Sequence, residues 1–466
     1  MAPLCYLRAG MVQTPRDPKA HAAPKLCCTK GLPSPAARIA RNSQWLLGSR
    51  AWEADMSHRG IAANTRELNW VVTARALRAF GDGFVSLLLP AYLLSLGYSA
   101  FVVGIVATAT LLGSGVFTLG LGLHAHRFRA RTLLLGASAL MAVTGVSFAT
   151  LTDLWPLIVV AIVGTLNPSA GDVSVFVPLE HATIARLAPA RTRTAWFARY
   201  SLTGALAAAL GAACAGVPQW LAARGMPMQV ALSQMFVIYA LLGVGCALCY
   251  RRLPRAAPVR ANAGAALRES RRIVHTLAAL FSLDAFAGGL IVQSMLALWL
   301  FERFDVAPAA AGLIFFWTGM LSAFSYLVAV RIADRFGLLN TMVFTHMPSS
   351  VLLILVPLAP NLATAIALLL ARSALSQMDV PTRSAFVMSV VPPAERAAAA
   401  SVTAVPRSLA AAVSPMLAGW LLAGSSFGWP LVCAGVLKIV YDLLLLGACR
   451  NMPVVAGTKL SDGASN

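Results

Sequence analysis

Residues 78–94 read RAFGDGFVSLLLPAYLL, and residues 284–300 read DAFAGGLIVQSMLALWL. The two stretches share their length, a charged first residue and a long apolar run. VGIV at 103–106 follows the first copy, and AGLIF at 311–315 follows the second at a similar distance. The chain therefore contains the same type of apolar segment twice, about 206 residues apart.

Three further matches extend this repeat along the chain. Residues 125–128 (AHRF) match 333–336 (ADRF), the pair 172–173 (DV) matches 379–380, and Pro189 with Arg193 matches Pro392 with Arg396. The matches keep their order and nearly their spacing, which predicts two homologous halves. Two apolar halves related by a parallel repeat are typical of one large class of membrane transporters.

The composition places the chain in a bilayer. Hydrophobic residues make up 58% and charged residues 12%, whereas a soluble domain carries roughly 25% charged residues. The net charge of +20 would be compatible with nucleic-acid binding. However, the basic residues lie in short loops between apolar segments and form no continuous face. We therefore expect no nucleic-acid partner, and a lipid bilayer as the surroundings of the chain.

Chemistry-bearing motifs are missing from the sequence. We find no nucleotide-binding loop, metal-ligand cluster or nucleophile elbow, and the eight cysteines show no pairing pattern. Cys246 and Cys249 have CxxC spacing, but they lie at the end of an apolar segment without a second pair. The sequence predicts neither an enzyme nor a cofactor or metal.

Residues 1–69 differ from the rest, being rich in Pro, Arg, Lys and Ser without a long apolar run. They lack the apolar core of a signal peptide. We expect either a disordered cytoplasmic tail or an extension upstream of a true start at Met56; an organelle transit peptide is a third reading. A C-terminal tail is expected at 451–466.

Twelve apolar segments follow, each near or above the ~20 residues that cross a bilayer as a helix. We call them spans 1 to 12 and predict them at 71–96, 100–123, 132–152, 156–183, 195–217, 230–250, 273–300, 307–330, 338–358, 362–391, 397–422 and 429–448. The prediction is an all-α membrane protein of two pseudo-symmetric six-helix bundles, residues 70–250 and 273–450. A charged linker at 251–272 joins them.

Arginine positions predict the orientation. An even number of spans puts both termini on one side. The loops on that side carry Arg127, Arg129 and Arg131, seven arginines within 251–272, and several more, whereas the opposite loops carry Arg224 and Arg303. The positive-inside rule therefore predicts cytoplasmic termini in the cytoplasmic (inner) membrane.

The loops after spans 2 and 8 carry a family resemblance. The second copy reads VRIADRFGLL, and its Asp334, Arg335 and Gly337 fit the pattern G-x-x-x-D-[RK]-x-G-[RK]-[RK] of the major facilitator superfamily. The first copy reads GLHAHRFRAR and fits at Gly122, Arg127 and Arg131, with His126 in place of the acid. With the spans and the repeat, the chain resembles this superfamily over about residues 70–450. Residues 376–399 are similar to uncharacterised bacterial members.

The resemblance implies a twelve-helix transporter that works by alternating access. It also implies that Asp334, Arg335, Gly337 and Arg127 form a latch that closes the cytoplasmic side. The stronger latch is expected in the second half, because His126 is mostly neutral at pH 7.

Charged residues inside the spans are costly in lipid and usually mark a functional interior. They fall on spans 1, 4, 7 and 10, which line the central cavity in the resembled fold: Asp82, Asp172, Glu180, Asp284, Arg372, Asp379 and Arg383. Asp82, Asp172, Asp284 and Asp379 are the candidates for proton coupling. Structural ion pairs are the alternative.

Spacing pairs some of these groups. Arg78 and Asp82 are four residues apart, as are Asp379 and Arg383, so each pair shares a helix face. We expect Arg372 to continue the stripe of Asp379 and Arg383. Asn167-Pro168 predicts a break in span 4, and Pro381 a similar one in span 10. Arg78, Arg372, Arg383, Asn167 and Gln293 are candidates for the substrate cavity.

The function that these observations favour is secondary active transport of a small molecule. Proton-coupled export of a small amphiphilic molecule is the first hypothesis, with protons as the coupling ion and a monomer as the working unit. Uptake of an organic anion at the internal arginines is the alternative. A membrane sensor or assembly partner with a transporter-like fold is a third, from another class.

Overall fold

The computed structural model describes residues 35–124, 128–169, 174–189, 192–254, 270–392 and 395–449, with side chains from residue 64 onward apart from residues 121–124 and a few positions in the second half. Helices account for nearly all of this part of the chain, and no strand occurs in it. The linker from 255 to 269 and residues 450–466 lie outside the described ranges.

Ten helices are long and apolar enough to cross a membrane, and two shorter apolar helices at Leu154–Val163 and Leu362–Leu375 belong to spans 4 and 10. The twelve predicted spans are therefore confirmed. The uninterrupted spans lie in the helices Pro35–Ser95 (span 1), Ala100–His124 (2), Ala130–Thr150 (3), Met228–Arg251 (6), Pro308–Phe336 (8), Arg396–Gly424 (11) and Trp429–Cys449 (12). Span 5 is Arg193–Ala213, continued by short helices at Cys214–Gly216 and Val217–Ala222, and span 9 is Leu338–Leu355 with a final turn at Val356–Leu358.

The helix that contains span 1 is longer than the span itself. It runs over Pro35–Ser95, and the part that is long and apolar enough to cross a membrane is Asn64–Ser95. The physical reason is that no proline occurs from 36 to 89, whereas Pro35 sits at the helix start, where its missing N–H costs nothing. Residues 1–34 lie outside the described residues.

Spans 4, 7 and 10 are each broken into two helices. Span 4 divides into Leu154–Val163 and Phe176–Leu187, span 7 into Arg271–Leu290 and Gln293–Phe304, and span 10 into Leu362–Leu375 and Asp379–Val390. Pro168 lies in the first break and Pro381 just after the third, where a proline cannot continue the preceding turn. These two breaks agree with the prediction. The break in span 7, after Gly288-Gly289, was not predicted.

Neighbouring spans satisfy the backbone groups that the break in span 4 frees. Tyr239 Oη of span 6 donates to the Thr165 carbonyl at 3.1 Å, and Asn167 Oδ1 accepts from the Ser169 N–H at 3.0 Å. The Ser294 N–H of span 7 donates to the Pro168 carbonyl at 3.1 Å. Non-helical backbone is tolerated at membrane depth only with such partners. The breaks of spans 4 and 7 thus meet across the two halves.

The halves touch on the side where span 1 ends and span 2 begins, called here the far side; the opposite side, where span 12 ends, is the near side. Spans 2 and 11 pack together there, as do spans 5 and 8. Thr108 Oγ1 accepts from the Met416 N–H at 2.9 Å, and Gln219 Oε1 accepts from the Ala309 N–H at 3.2 Å. Each of these groups lies toward the far-side end of its span. The far side is therefore closed in this conformation.

The close approach of spans 2 and 11 predicts the effect of one substitution. A Cβ at Gly104 would lie 2.5 Å from the Pro415 carbonyl oxygen and 3.0 Å from Gly419 Cα. Gly104→Val is therefore expected to hold the far side open. Spin labels at the far-side ends of spans 2 and 11 would then move apart.

Gly115→Val is the matched control, because a Cβ at Gly115 in the same span meets nothing within 4 Å. It should leave the label distance unchanged. A parent-like distance in Gly104→Val would show that far-side closure does not need this glycine.

Candidate functional site

A buried ion cluster occupies the interior of the first half. Arg78 of span 1 donates through Nη2 to Glu180 Oε2 of span 4 at 2.7 Å. Arg78 Nη1 lies 3.8 Å from Asp82 Oδ2 on the next turn. Arg78 is 1% exposed, Asp82 3% and Glu180 0%. Because charges in such a site must be paired, these three side chains form one unit.

Two tyrosines complete the shell of Glu180. Tyr200 Oη of span 5 donates to Glu180 Oε2 at 2.5 Å, and Tyr250 Oη of span 6 donates to Oε1 at 2.6 Å. The Arg78 guanidinium also lies over the Phe176 ring at 4.9 Å from its centroid. Both carboxylate oxygens of Glu180 are thus engaged. The cluster connects four spans of the first half.

The second half contains a larger cluster. Asp284 of span 7 accepts from Arg383 Nη2 of span 10 through Oδ2, at 2.7 Å. The same nitrogen donates to Asp379, one turn earlier on span 10. The Arg383 guanidinium lies 5.2 Å from the centroid of the Phe281 ring. The structure therefore brings together three of the residues that the sequence singled out.

Spans 9 and 12 extend this second cluster. Lys438 Nζ donates to Asp284 Oδ1 at 2.7 Å and lies 3.3 Å from His346 Nε2. His346 Nδ1 lies 3.0 Å from both carboxylate oxygens of Asp442. His346 is 4% and Asp442 0% exposed. Six ionisable side chains thus form one buried network across spans 7, 9, 10 and 12.

The two halves carry the same ion pair with opposite polarity. In the sequence repeat Asp284 stands where Arg78 stands, and Arg383 aligns with Glu180 at the shift of 203 shown by Pro189 and Pro392. The pair Arg78–Glu180 measures 2.7 Å, and so does Asp284–Arg383. In each half, the pair joins the first helix to the broken fourth helix. The two halves thus share this bridge between corresponding helices, with its charges exchanged.

Other predicted residues lie elsewhere. Arg372 precedes the break in span 10, so the expected continuous stripe with Asp379 and Arg383 is interrupted. The Nε atom of Arg372 is buried without a hydrogen-bond partner in the described part of the chain. Asn167 is buried in the break of span 4, and Gln293 begins the second helix of span 7. Asp172 and Arg127 lie outside the described residues.

The latch residues of the second half sit at the near-side end of span 8. Asp334, Arg335 and Gly337 are exposed, and Gly337 has a φ of +83°, which ends the helix and favours glycine. Among the described residues, Asp334 has no ion pair. Within the described ranges, the predicted latch role of these residues thus has no contact that supports it in this conformation, whose far side is closed.

Sequence reasoning missed His346, Lys438, Asp442, Tyr200 and Tyr250. A signal for two of them exists, because Lys438 and Asp442 are four residues apart on an otherwise apolar span. That spacing predicts a shared face and an intramembrane site. The tyrosines carry no such signal, since tyrosine is common in apolar segments.

The described residues contain no group of His, Cys, Asp or Glu able to hold a metal ion. A pocket of about 230 Å³ lies between spans 2, 3 and 4 and is mainly apolar; Ser114, Phe117, Thr132, Leu140 and Ser174 are among its lining residues. Ser174 Oγ accepts from Arg78 Nη1 at 3.4 Å, so the pocket ends beside the first cluster. It contains no charged group of its own.

Comparison with known proteins agrees with this architecture. The family described as Major Facilitator Superfamily matches residues 71–300 and 277–459. The uncharacterized membrane protein YJR124C of Saccharomyces cerevisiae is 23% identical over 433 residues, covering 85% of this chain and 96% of the yeast protein.

Solved transporters share the fold at low identity. An inward-facing, occupied bacterial homologue of the human lysosomal transporter Spinster superposes with a TM-score of 0.67 at 14% identity, covering 82% of this chain and 96% of that one. The nucleoside transporter NupG gives 0.63 at 15%, covering 82% and 98%. At these identities, the likeness concerns the fold alone.

Proposed function

The chain belongs to the major facilitator superfamily, and from that premise we propose that it exports a small amphiphilic molecule across the cytoplasmic membrane by proton-coupled alternating access. It is an integral membrane transporter and not an enzyme. The direction, the coupling ion, the type of substrate and the membrane are the proposed elements.

The arrangement of the two halves supports alternating access. The far side is closed by spans 2 and 11 and by spans 5 and 8, whereas Asp334 at the near side is exposed and unpaired among the described residues. With cytoplasmic termini, as the arginine distribution predicts, this conformation faces the cytoplasm. Breaking one set of contacts while making the other exposes the interior to opposite sides in turn.

The charge balance of the second cluster is the observation that carries proton coupling. It contains the carboxylates of Asp284, Asp379 and Asp442, but two basic side chains, Arg383 and Lys438. An uncompensated charge in a site this buried is costly. One proton bound to the network brings it to neutrality, and its release restores one negative charge. A proton-coupled transporter needs a buried group that can bind and release one proton in each transport cycle.

The experiment is solute flux in proteoliposomes. Purified protein is first screened by thermal shift against a panel of small amphiphilic amines, alcohols and acids. Stabilising compounds are then loaded, and their flux is measured with and without a pH gradient. We expect the flux of at least one compound to be faster with the pH gradient than without it. Liposomes that lack the protein should show no such difference. Flux that ignores the gradient would refute proton coupling, and no flux at all would favour the sensor or assembly hypothesis.

Arg372 favours organic-anion uptake as a second candidate. It has no ion pair in the described ranges, and its Nε is buried without a partner. The guanidinium groups of Arg78 and Arg383, in contrast, are engaged by carboxylates. An unpaired guanidinium in a largely apolar interior is suited to bind a carboxylate or phosphate.

The anion hypothesis predicts that Arg372→Gln abolishes the thermal shift produced by organic acids in the panel, while Arg372→Lys keeps part of it. A stronger shift with amines, unaffected by Arg372→Gln, would support export of a cationic amphiphile instead.

The exposed latch gives a prediction about turnover. Closing the near side should bring Asp334 against a helix end of the other spans, and Asp334→Asn removes its charge at constant size. We expect a several-fold loss of transport rate with unchanged protein yield. Asp153→Asn, an exposed acid on the far side, is the control and should transport normally. An equal loss in both variants would remove the latch role.

A further inference from the structure

We infer that the exchangeable proton of the second half is held by His346 and Asp442, with Lys438 connecting this pair to Asp284. This assignment rests on the proposed proton coupling and deepens it. It moves the proton site from spans 7 and 10, where the sequence places the candidates, to spans 9 and 12.

The distances assign a protonation state to the network when Lys438 is charged. A charged Nζ can only donate, and it lies 3.3 Å from His346 Nε2, so Nε2 takes the acceptor role and carries no proton. His346 Nδ1 then carries the ring proton and donates to Asp442, whose oxygens lie 3.0 Å away. This assignment makes His346 neutral in this conformation. The network of three carboxylates and two cations has a net charge of −1 in this state.

Proton uptake has a defined structural consequence. A proton from the aqueous side adds to the lone pair of His346 Nε2, so the imidazole becomes a cation and the network becomes neutral. Nε2–H can no longer accept from Lys438, and the two positive groups repel each other at this distance. The nearest acceptor for Nε2–H is Asp284 Oδ1, now 3.6 Å away and bonded to Lys438. Uptake therefore sets His346 and Lys438 in competition for one oxygen.

The competition between His346 and Lys438 for Asp284 also affects the broken helices of spans 7 and 10. Asp284 also holds Arg383 through its second oxygen, and Arg383 holds Asp379 at the start of the second helix of span 10. A shift of Asp284 toward His346 changes the bridge between spans 7 and 10. The proton on spans 9 and 12 is thereby linked to the two broken helices of this half. Release of the same proton from Nε2 restores the bond from Lys438.

In the described part of the chain, the charged groups linked to His346 come from spans 7, 10 and 12. Span 12 contributes Lys438, Asp442 and the Tyr441 ring, whose centroid lies 5.9 Å from that of the imidazole. Span 7 contributes Asp284, and span 10 contributes Arg383 and Asp379 through Asp284. Arg372 of span 10 meets span 9 through its carbonyl, which accepts from Ser349 Oγ at 3.5 Å.

The other carboxylates are less suited to the role. Asp379 pairs with Arg383, whose guanidinium stays charged at any physiological pH. Asp284 pairs with both Arg383 and Lys438. Both carboxylates thus already face bound cations in the structure. Histidine is the side-chain type that changes charge between about pH 5 and pH 8, and His346 is the one histidine among the six side chains of the network.

The test needs no known substrate. Spin labels at positions 194 and 336, exposed near-side positions on spans 5 and 8, report the near-side opening in nanodiscs between about pH 5 and pH 9, a range that brackets ordinary histidine titration. The label distance in the parent should change with pH in one step. His346→Gln, which cannot gain the proton, should fix the distance at one value. His275→Gln, at an exposed histidine of span 7, is the matched control and should follow the parent.

Each outcome decides the inference. If His346→Gln keeps the pH step of the parent, the proton site is elsewhere and the inference is overturned, while pH-driven flux in the liposome assay still stands. If the parent itself shows no step, proton binding does not drive the opening and the inference falls, whatever the flux assay shows.

A second measurement covers the case in which His346→Gln does not fold. Replacing the six other histidines by Gln leaves His346 as the one ring signal in protein with nitrogen-15-labelled histidine. We expect an Nδ1–H neutral ring at high pH and a doubly protonated ring at low pH. A ring that never gains the second proton before unfolding would overturn the assignment.

Discussion

Asp284→Asn is expected to destabilise the second half by about 3–5 kcal/mol, the cost of breaking a buried ion pair from one side. Its carboxylate is the acceptor for both Arg383 and Lys438, at 2.7 Å each. Asparagine keeps the size but removes the charge that both cations face. The variant should lose monodisperse protein on heating at a much lower temperature than the parent.

A second substitution can show whether the loss of stability in Asp284→Asn comes from the unbalanced charge or from altered packing. Asp284→Asn with Lys438→Met removes one anion and one cation together, and should recover part of the lost stability. Asp153→Asn on the far-side surface should leave the melting temperature unchanged. A double variant no more stable than Asp284→Asn would mean that Lys438 is not compensated by Asp284.

The fold was predictable because membrane insertion leaves few solutions. Apolar segments of about 20 residues can only be helices in lipid, and the repeat at residues 78 and 284 divides them into two halves. Prolines at 168 and 381 predict two of the three broken spans, since proline cannot continue a helical turn. The break in span 7 follows Gly288-Gly289, which many intact membrane helices tolerate, so composition alone did not predict it.

The site was predictable only in part. Arg78 with Asp82 and Asp379 with Arg383 are four residues apart, and helical geometry places such pairs on one face. The partners that complete the clusters come from distant spans. His346 is 62 residues from Asp284 and Lys438 is 154 residues away, and their contacts depend on how spans 9 and 12 pack against span 7. The family resemblance directed attention to spans 1, 4, 7 and 10 and away from them.

The exchange of charges between the ion pairs of the two halves suggests that the halves have different functions. The first cluster holds Arg78 between carboxylates and tyrosine hydroxyls, and the neighbouring His181 ring packs edge-on against the Tyr200 ring at 5.1 Å between centroids. The second half has His346 and an uncompensated carboxylate. If the repeat provides one bridge per half, we expect the first bridge to act as a structural tie and the second to hold the proton.

Glu180→Gln tests that division and is expected to cost about 3 kcal/mol, as for a buried ion pair broken from one side. It takes the nearest anion from Arg78, leaving Asp82 at 3.8 Å, and it weakens the bonds from Tyr200 and Tyr250. The measurement is thermal stability in detergent, with Glu302→Gln, an exposed glutamate of span 7, as the control.

Tyr250→Phe refines this test. Alone it should cost about 1.5–3 kcal/mol, the range for a hydrogen bond to a charged group. In the Glu180→Gln background it should cost clearly less, because the acceptor charge is already gone and the two changes share one contact. Additive costs would contradict the bond that the structure shows at 2.6 Å. The spin-label distance of Glu180→Gln should still follow pH as the parent does, because the proposed proton site lies on spans 9 and 12 of the other half. Loss of the pH step in this variant would mean that both halves take part in proton binding, and the division of roles between them would fail.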